Sequence, residues 1–216
     1  MYIEEDFEIR KVFCLGMNYV DHINEMNSEA TDEPVFFLKP STAVIRDKGT
    51  IILPLASNDI HYEVELAVLI GKHGKKIQKK QAFEHIAGYG VGIDVTLRDI
   101  QLAGREKGYP WTLAKGFDTS APISRFVPKD LIPNIYHEEI SLWVNDELKQ
   151  HNSPASMVFR IDEIIAYISN FFSLERGDVI FTGTPKGVGK LEDGDLVRAT
   201  LGKFVTLECP VRRELQ

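Results

Sequence analysis

Three acids stand in segments too apolar for ordinary surface charges. In HYEVELAVLIG, residues 61–71, Glu63 and Glu65 are two apart, so on a strand both point to one face. Two like charges side by side repel unless a cation lies between them. Asp94 stands in GYGVGIDVTL, flanked by Val91, Ile93 and Val95. A carboxylate in a buried strand is costly unless it is paired or holds a metal. The competing reading is a polar strand face at Glu63 and Glu65, with Asp94 in a salt bridge to Arg98 or a lysine. No Cys or His accompanies the three acids at metal-ligand spacing. Three carboxylates alone suit a hard cation, Mg²⁺ first, with Mn²⁺ or Ca²⁺ as alternatives.

A second constellation is His22 and Glu25. At i and i+3 on a helix they share a face, and a carboxylate-oriented imidazole can activate water. The competing reading is an exposed helical pair. Lys115, in the apolar stretch WTLAKGF, is either a functional cation or a lysine whose stem lies along apolar surface. Other motifs fail. TGTPKGVGK, residues 182–190, has Thr184 where a phosphate loop needs its first glycine and Leu191 where it needs Ser or Thr. There is no GxSxG and no HExxH.

The elements that must position these residues are mostly strands. Residues 9–15, 35–38, 61–70, 86–95, 140–144, 178–182, 195–200 and 203–209 read as short strands, with hairpins at Asn145-Asp146 and Gly202. Ile161, Ile164, Ile165, Ile168 and Phe172 follow helical spacing, with Asp162 and Glu163 in the first turn. Further helices are expected from about Tyr19 to Met26, and after Thr96 as far as Gly108-Tyr109-Pro110. The lysines of KHGKKIQKK read as a solvated hairpin tip or helix start. Without βαβ alternation, the pattern predicts a strand-dominated α+β fold rather than a doubly wound sheet.

Composition narrows the function classes. The chain has 216 residues, 25 Lys+Arg against 32 Asp+Glu, and a formal net charge of -7. That balance argues against nonspecific nucleic-acid binding, which needs a basic footprint. No apolar run approaches the roughly 20 residues of a membrane helix, and the acidic start has no signal-peptide character. Cys14 and Cys209 read as reduced core thiols, so a cytoplasmic location is expected.

Six segments together resemble the fumarylacetoacetate hydrolase family, most closely its small acylpyruvase and oxaloacetate decarboxylase branch. They are GMNYVDHINEM (16–26), PVFFLKPSTAV (34–44), HYEVELAVLIG (61–71), GYGVGIDVTLRDIQ (88–101), PWTLAKGFD (110–118) and GDVIFTGTPKGVG (177–189), in the family's order. The resemblance implies one catalytic domain over 1–216, with a mixed β-roll fold and a homodimeric state. It implies Glu63, Glu65 and Asp94 as metal ligands. It implies His22 and Glu25 as a dyad on a short helix that closes as a lid, and Lys115 beside the metal facing developing charge. It places Gln101 near the ligand pocket and Thr184 in the loop that binds the substrate carboxylate. Met17 departs from the polar residue many relatives carry there. The implied activity is Mg²⁺-dependent cleavage of the C3–C4 bond of an acylpyruvate or oxaloacetate-like 2-keto acid, leaving metal-bound enolpyruvate. An isomerase or decarboxylase of 2-hydroxymuconate-type dicarboxylates is the alternative. A noncatalytic metal-binding relative is the third reading.

Overall fold

The computed structural model describes residues 2–3, 8–26 and 28–215. The expected α+β, strand-dominated mixed architecture is what it shows. The largest sheet runs in the order 35–39, 12–16, 179–181, 64–70, 86–93, 121–123, 44–46, and 127–128 pairs with 86–93. Its centre is antiparallel, but 12–16 runs parallel to 179–181, and 44–46 parallel to 121–123. A second sheet carries 147–152, 140–144, 196–201, 205–213 and 51–53. A small third one joins 189–190, 60–62 and 96–97.

The large sheet is covered on both faces, and the two-residue period sorts its side chains. Val64, Leu66, Val68 and Ile70 enter the main core, whereas Ala67 and Leu69 pack with Val12, Cys14, Val179 and Phe181 in a smaller one. Glu65 therefore shares its face with Ala67 and Leu69, at the end of the smaller core. Gly92 keeps that face closed: a Cβ there would lie 2.3 Å from the Phe181 ring.

Four α-helices cross the described chain: α1 Val20–Glu25, α2 Arg98–Lys107, α3 Thr112–Lys115 and α4 Ile161–Phe171. In α4 the predicted stripe is buried at Ile161, Ile164, Ile165 and Ile168. Glu163 accepts from the Arg160 backbone N–H at 2.9 Å, closing the first turn. Gly108, at φ 68, ends α2 in the left-handed conformation that favours glycine. Asn145 (φ 50) and Asp146 (φ 67) turn one expected hairpin, and Gly202 (φ 45) the other. Of the lysine-rich segment, Lys79 and Lys80 start a 3₁₀ helix, and Lys79 pairs with Glu163 at 2.8 Å.

Two expectations need correction. The stretch 61–70 is not one strand: 60–62 and 64–70 belong to different sheets, and Glu63 is the break. There the Val64 N–H donates to the Gln150 side chain at 2.8 Å instead of to a strand partner. The strand expected over 86–95 ends at Ile93, so Asp94 stands just beyond it.

Candidate active site

The break at Glu63 and the strand end at Asp94 occur side by side, because the Asp94 N–H donates to the Glu63 carbonyl at 2.8 Å. Glu65 follows on the strand 64–70. One oxygen from each of the three carboxylates lies within 4.8 Å of the others. Exposure decides against a polar surface face: Glu63 is 4% exposed, Glu65 1% and Asp94 1%.

Buried cations meet these acids unevenly. Lys115 Nζ donates to Glu63 Oε2 at 2.7 Å, Asp94 Oδ2 at 2.7 Å and Thr96 Oγ1 at 2.6 Å. An ammonium has three hydrogens, so all are engaged within the protein. Arg98 also pairs with Glu63, through Nη2 and Oε1. Asp94 takes two lysines, Lys115 and Lys39, and not the Arg98 considered from sequence. Burial raises the Glu63 pKa, but Lys115 and Arg98 outweigh it and hold that carboxyl below the usual carboxylate range. Among the described residues Glu65 has no cation in contact and accepts only from the Gly183 backbone N–H. Burial, then the charges of Asp94 and Glu63, push its pKa well up.

Asp94 Oδ1 sits 2.8 Å from Lys39 Nζ without making a hydrogen bond, and among the described residues it has no other partner. A buried carboxylate cluster with one acid that no cation touches among the described residues, and one oxygen left without a hydrogen bond beside Lys39, fits a divalent cation. The all-oxygen donor set suits a hard one.

The helix α1 brings the second constellation to the same place. His22 Nδ1 lies 2.9 Å from Glu25 Oε2. A carboxylate only accepts, so Nδ1 carries the hydrogen, and in the neutral ring Nε2 is the nitrogen with the lone pair. Glu25 is fixed in turn, because its Oε1 accepts from the Gly187 N–H at 2.9 Å. Just before α1, buried Asn18 donates to the Thr182 and Phe159 carbonyls at 2.7 and 3.1 Å and accepts from the Phe159 N–H at 2.7 Å. That clamp ties α1 to the 182–187 loop.

A cavity of about 120 Å³ is lined by His22, Glu63, Asp94, Gln101, Lys115 and Thr184. Glu65 and Glu25 stand behind this lining, Glu65 beside the other acids and Glu25 against His22. Gln101 accepts from Arg98 Nη1. Met17 lines the cavity with its backbone at φ 57, a strained left-handed conformation for a residue with a side chain.

Sequence reasoning missed three contributors. Lys39 is 1% exposed, and besides Asp94 it meets the Lys115 carbonyl, Ser120 Oγ and the Val95 carbonyl. A lysine closing the apolar run VFFL was the available signal. Arg105 lines the cavity two turns after Arg98 and reaches Ser28 Oγ at 3.1 Å. Gln150 left no signal, since only the tertiary fold brings it to Val64.

Comparison with known proteins follows the same outline. The family model for the fumarylacetoacetate (FAA) hydrolase C-terminal region matches residues 11–212. A mitochondrial oxaloacetate tautomerase of Mus musculus is 44% identical over 204 residues, covering 94% of this chain and 92% of that protein. A mitochondrial oxaloacetate decarboxylase of Dictyostelium discoideum is 42% identical, covering 88% of this chain and 87% of its own. The crystal structure of a fumarylpyruvate hydrolase from Pseudomonas aeruginosa, in complex with Mn²⁺ and pyruvate, superposes with a TM-score of 0.92 at 38% identity, covering 98% of this chain and 93% of that one.

Proposed function

Because the chain belongs to the fumarylacetoacetate hydrolase family, we propose that it is an enzyme that breaks the C3–C4 bond of a small 2-keto acid. The substrate is an acylpyruvate, cleaved by hydrolysis, or oxaloacetate, cleaved by loss of CO₂. The observation that carries this reading is a cluster of three buried carboxylates, two of them lining the cavity, with a carboxylate-oriented histidine on the same cavity.

A divalent cation held by Glu63, Glu65 and Asp94, which we assign as Mg²⁺, would supply a Lewis acid for the 2-keto group and charge stabilisation for the enolate. The Mn²⁺ and pyruvate in the Pseudomonas hydrolase support this assignment.

The chain's own residues do the rest. In hydrolysis, His22 Nε2 takes a proton from water as the water oxygen bonds to C4. The C3–C4 bond then breaks, and its electron pair stays on the pyruvate fragment. Protonation at C3 completes pyruvate, and the acyl part leaves as a carboxylic acid. Glu25 keeps the His22 tautomer and stabilises the imidazolium. In decarboxylation CO₂ leaves directly, and no base is needed to activate water. Tautomerisation of oxaloacetate, the activity naming the mouse relative, breaks a C3–H bond instead and passes through the enolate of intact oxaloacetate, a charge that the same site would stabilise.

Thr184 and Gln101 face the cavity where they can bind the substrate carboxylate. Lys115 sets the charge of the carboxylate cluster, and it touches substrate only by giving up one of its three present acceptors. A homodimer belongs to this reading too. Exposed Leu102, Tyr109 and Leu113 on and beside α2 and α3 support it, and light scattering tests it.

The test is ultraviolet loss of acetylpyruvate and of oxaloacetate, with Mg²⁺ and then with excess EDTA. A protein-free blank is included because metal alone decarboxylates oxaloacetate. EDTA-sensitive turnover of either substrate supports the reading. No turnover of either, with Mg²⁺ bound, favours the muconate-type isomerase or a noncatalytic relative.

A further inference from the structure

We propose that Gln150 sets the direction of the Thr184 hydroxyl and so makes Thr184 an obligatory hydrogen-bond donor to the substrate. This rests on reading the cavity as a 2-keto acid site. Gln150 lies in the strand Glu147–Asn152, is 1% exposed and does not line the cavity.

Its amide has one orientation. The Val64 N–H donates to Oε1 at 2.8 Å, while Nε2 donates to Thr184 Oγ1 at 2.9 Å and to the Pro185 carbonyl at 2.8 Å. A flipped amide would set NH₂ against the Val64 N–H and its carbonyl oxygen against that of Pro185, so the network excludes it. Thr184 Oγ1 therefore accepts from Gln150, and its own hydrogen must point elsewhere. Among the described residues its one protein acceptor is the Pro185 carbonyl, which it reaches only at 3.4 Å, the long limit of a hydrogen bond, and shares with Gln150 at 2.8 Å. Thr184 lines the cavity, so the better acceptor for that hydrogen is a ligand oxygen. A carboxylate or keto oxygen satisfies it; an ammonium or amide N–H does not.

The same amide also sets a distance. Val64 separates Glu63 from Glu65, so Gln150 ties the carboxylate cluster to the loop that carries Thr184. That loop packs tightly on the Gln150 strand: a Cβ on Gly187 would lie 2.3 Å from the Lys149 carbonyl. Gln150 is thus a positioning residue that acts through Thr184.

A double-mutant cycle tests this, with Gln150→Met, Thr184→Val and both together, read as KM and kcat for oxaloacetate in Mg²⁺. Each single change is expected to raise KM about tenfold, the usual scale for one lost hydrogen bond, with kcat changed less than about threefold. The double variant is expected to add no more than about twofold to the Thr184→Val effect. Losses that multiply, or a wild-type KM in Gln150→Met, overturn the proposal. Should Gln150→Met fail to fold, Gln150→Glu keeps an acceptor for Val64 but faces Thr184 with a carboxylate that draws its hydrogen away from the cavity. Its KM should rise at least as much as that of Thr184→Val, and an unchanged KM overturns the proposal. Calorimetric binding of pyruvate in Mg²⁺ repeats the cycle without turnover. A wild type that binds pyruvate but turns over nothing contradicts the reaction and leaves the cycle readable. A wild type that binds no pyruvate overturns both.

Discussion

Lys39 Nζ lies 2.8 Å from Asp94 Oδ1 beneath the cavity, where each residue is 1% exposed. Asp94 would keep Lys115, but removing one of its two lysines beside three buried acids leaves negative charge uncompensated, which is strongly destabilising. Lys39 also meets Ser120 Oγ at 3.1 Å and the Val95 carbonyl at 3.3 Å, so its removal orphans several groups. Lys39→Met should lose roughly 3–5 kcal/mol in urea unfolding without metal. Mg²⁺ should restore part of that loss by supplying positive charge to the same cluster. Wild-type stability in the metal-free variant would show that the pair is not needed.

Glu65 should behave in the opposite way. Burial and two neighbouring carboxylates make its charge costly, and among the described residues no cation touches it. Glu65→Gln keeps the acceptor for the Gly183 N–H and removes that cost. In EDTA its melting temperature should equal or exceed that of the wild type. Its Mg²⁺ affinity should fall by more than the roughly 10–100-fold that follows loss of a supporting group. Calorimetry and thermal melts read both; unchanged affinity removes Glu65 from the ligand set.

His22 should matter unequally. His22→Ala is expected to slow acylpyruvate hydrolysis by about 10²–10⁴-fold, the usual worth of a positioned base. Oxaloacetate decarboxylation, which activates no water, should fall far less. Intact hydrolysis in this variant would refute the dyad.

Cys209 gives a pH prediction away from the site. Burial, then the charge of Asp47, push its thiol from 9.0 up to about 12. The folded chain therefore keeps this proton where the unfolded chain releases it. The associated stability is complete below pH 9.0 and is lost as pH rises towards about 12, by up to about 1.4 kcal/mol per pH unit. Under reducing conditions, Cys209→Val should lose stability less steeply than the wild type over that window. Parallel curves would contradict the assignment.

The chemistry was more legible in the sequence than the framework around it. Glu63, Glu65 and Asp94 stood out because carboxylates in apolar strands need a reason, and His22 and Glu25 because helical spacing brings i and i+3 together. The counter-charges were less visible. Lys39 and Asp94 are 55 positions apart in the chain, and their contact depends on the register that sets Val12 against Lys39 and Gly92 against Glu65. The break at Glu63 left no mark, since HYEVELAV alternates smoothly through it. Strands 44–46, 51–53 and 121–123 are too short for periodicity to find. Each pairs only because distant segments present an open edge.

The most direct measurement is exchange of pyruvate C3 hydrogens for deuterium, followed by proton NMR in D₂O. It reads the pyruvate enolate that hydrolysis and decarboxylation both leave, whichever of the two the enzyme prefers. The account predicts exchange with Mg²⁺ well above a protein-free blank, abolished by EDTA and by Asp94→Asn. Exchange that ignores both EDTA and Asp94→Asn, or no exchange while oxaloacetate is turned over, would contradict it.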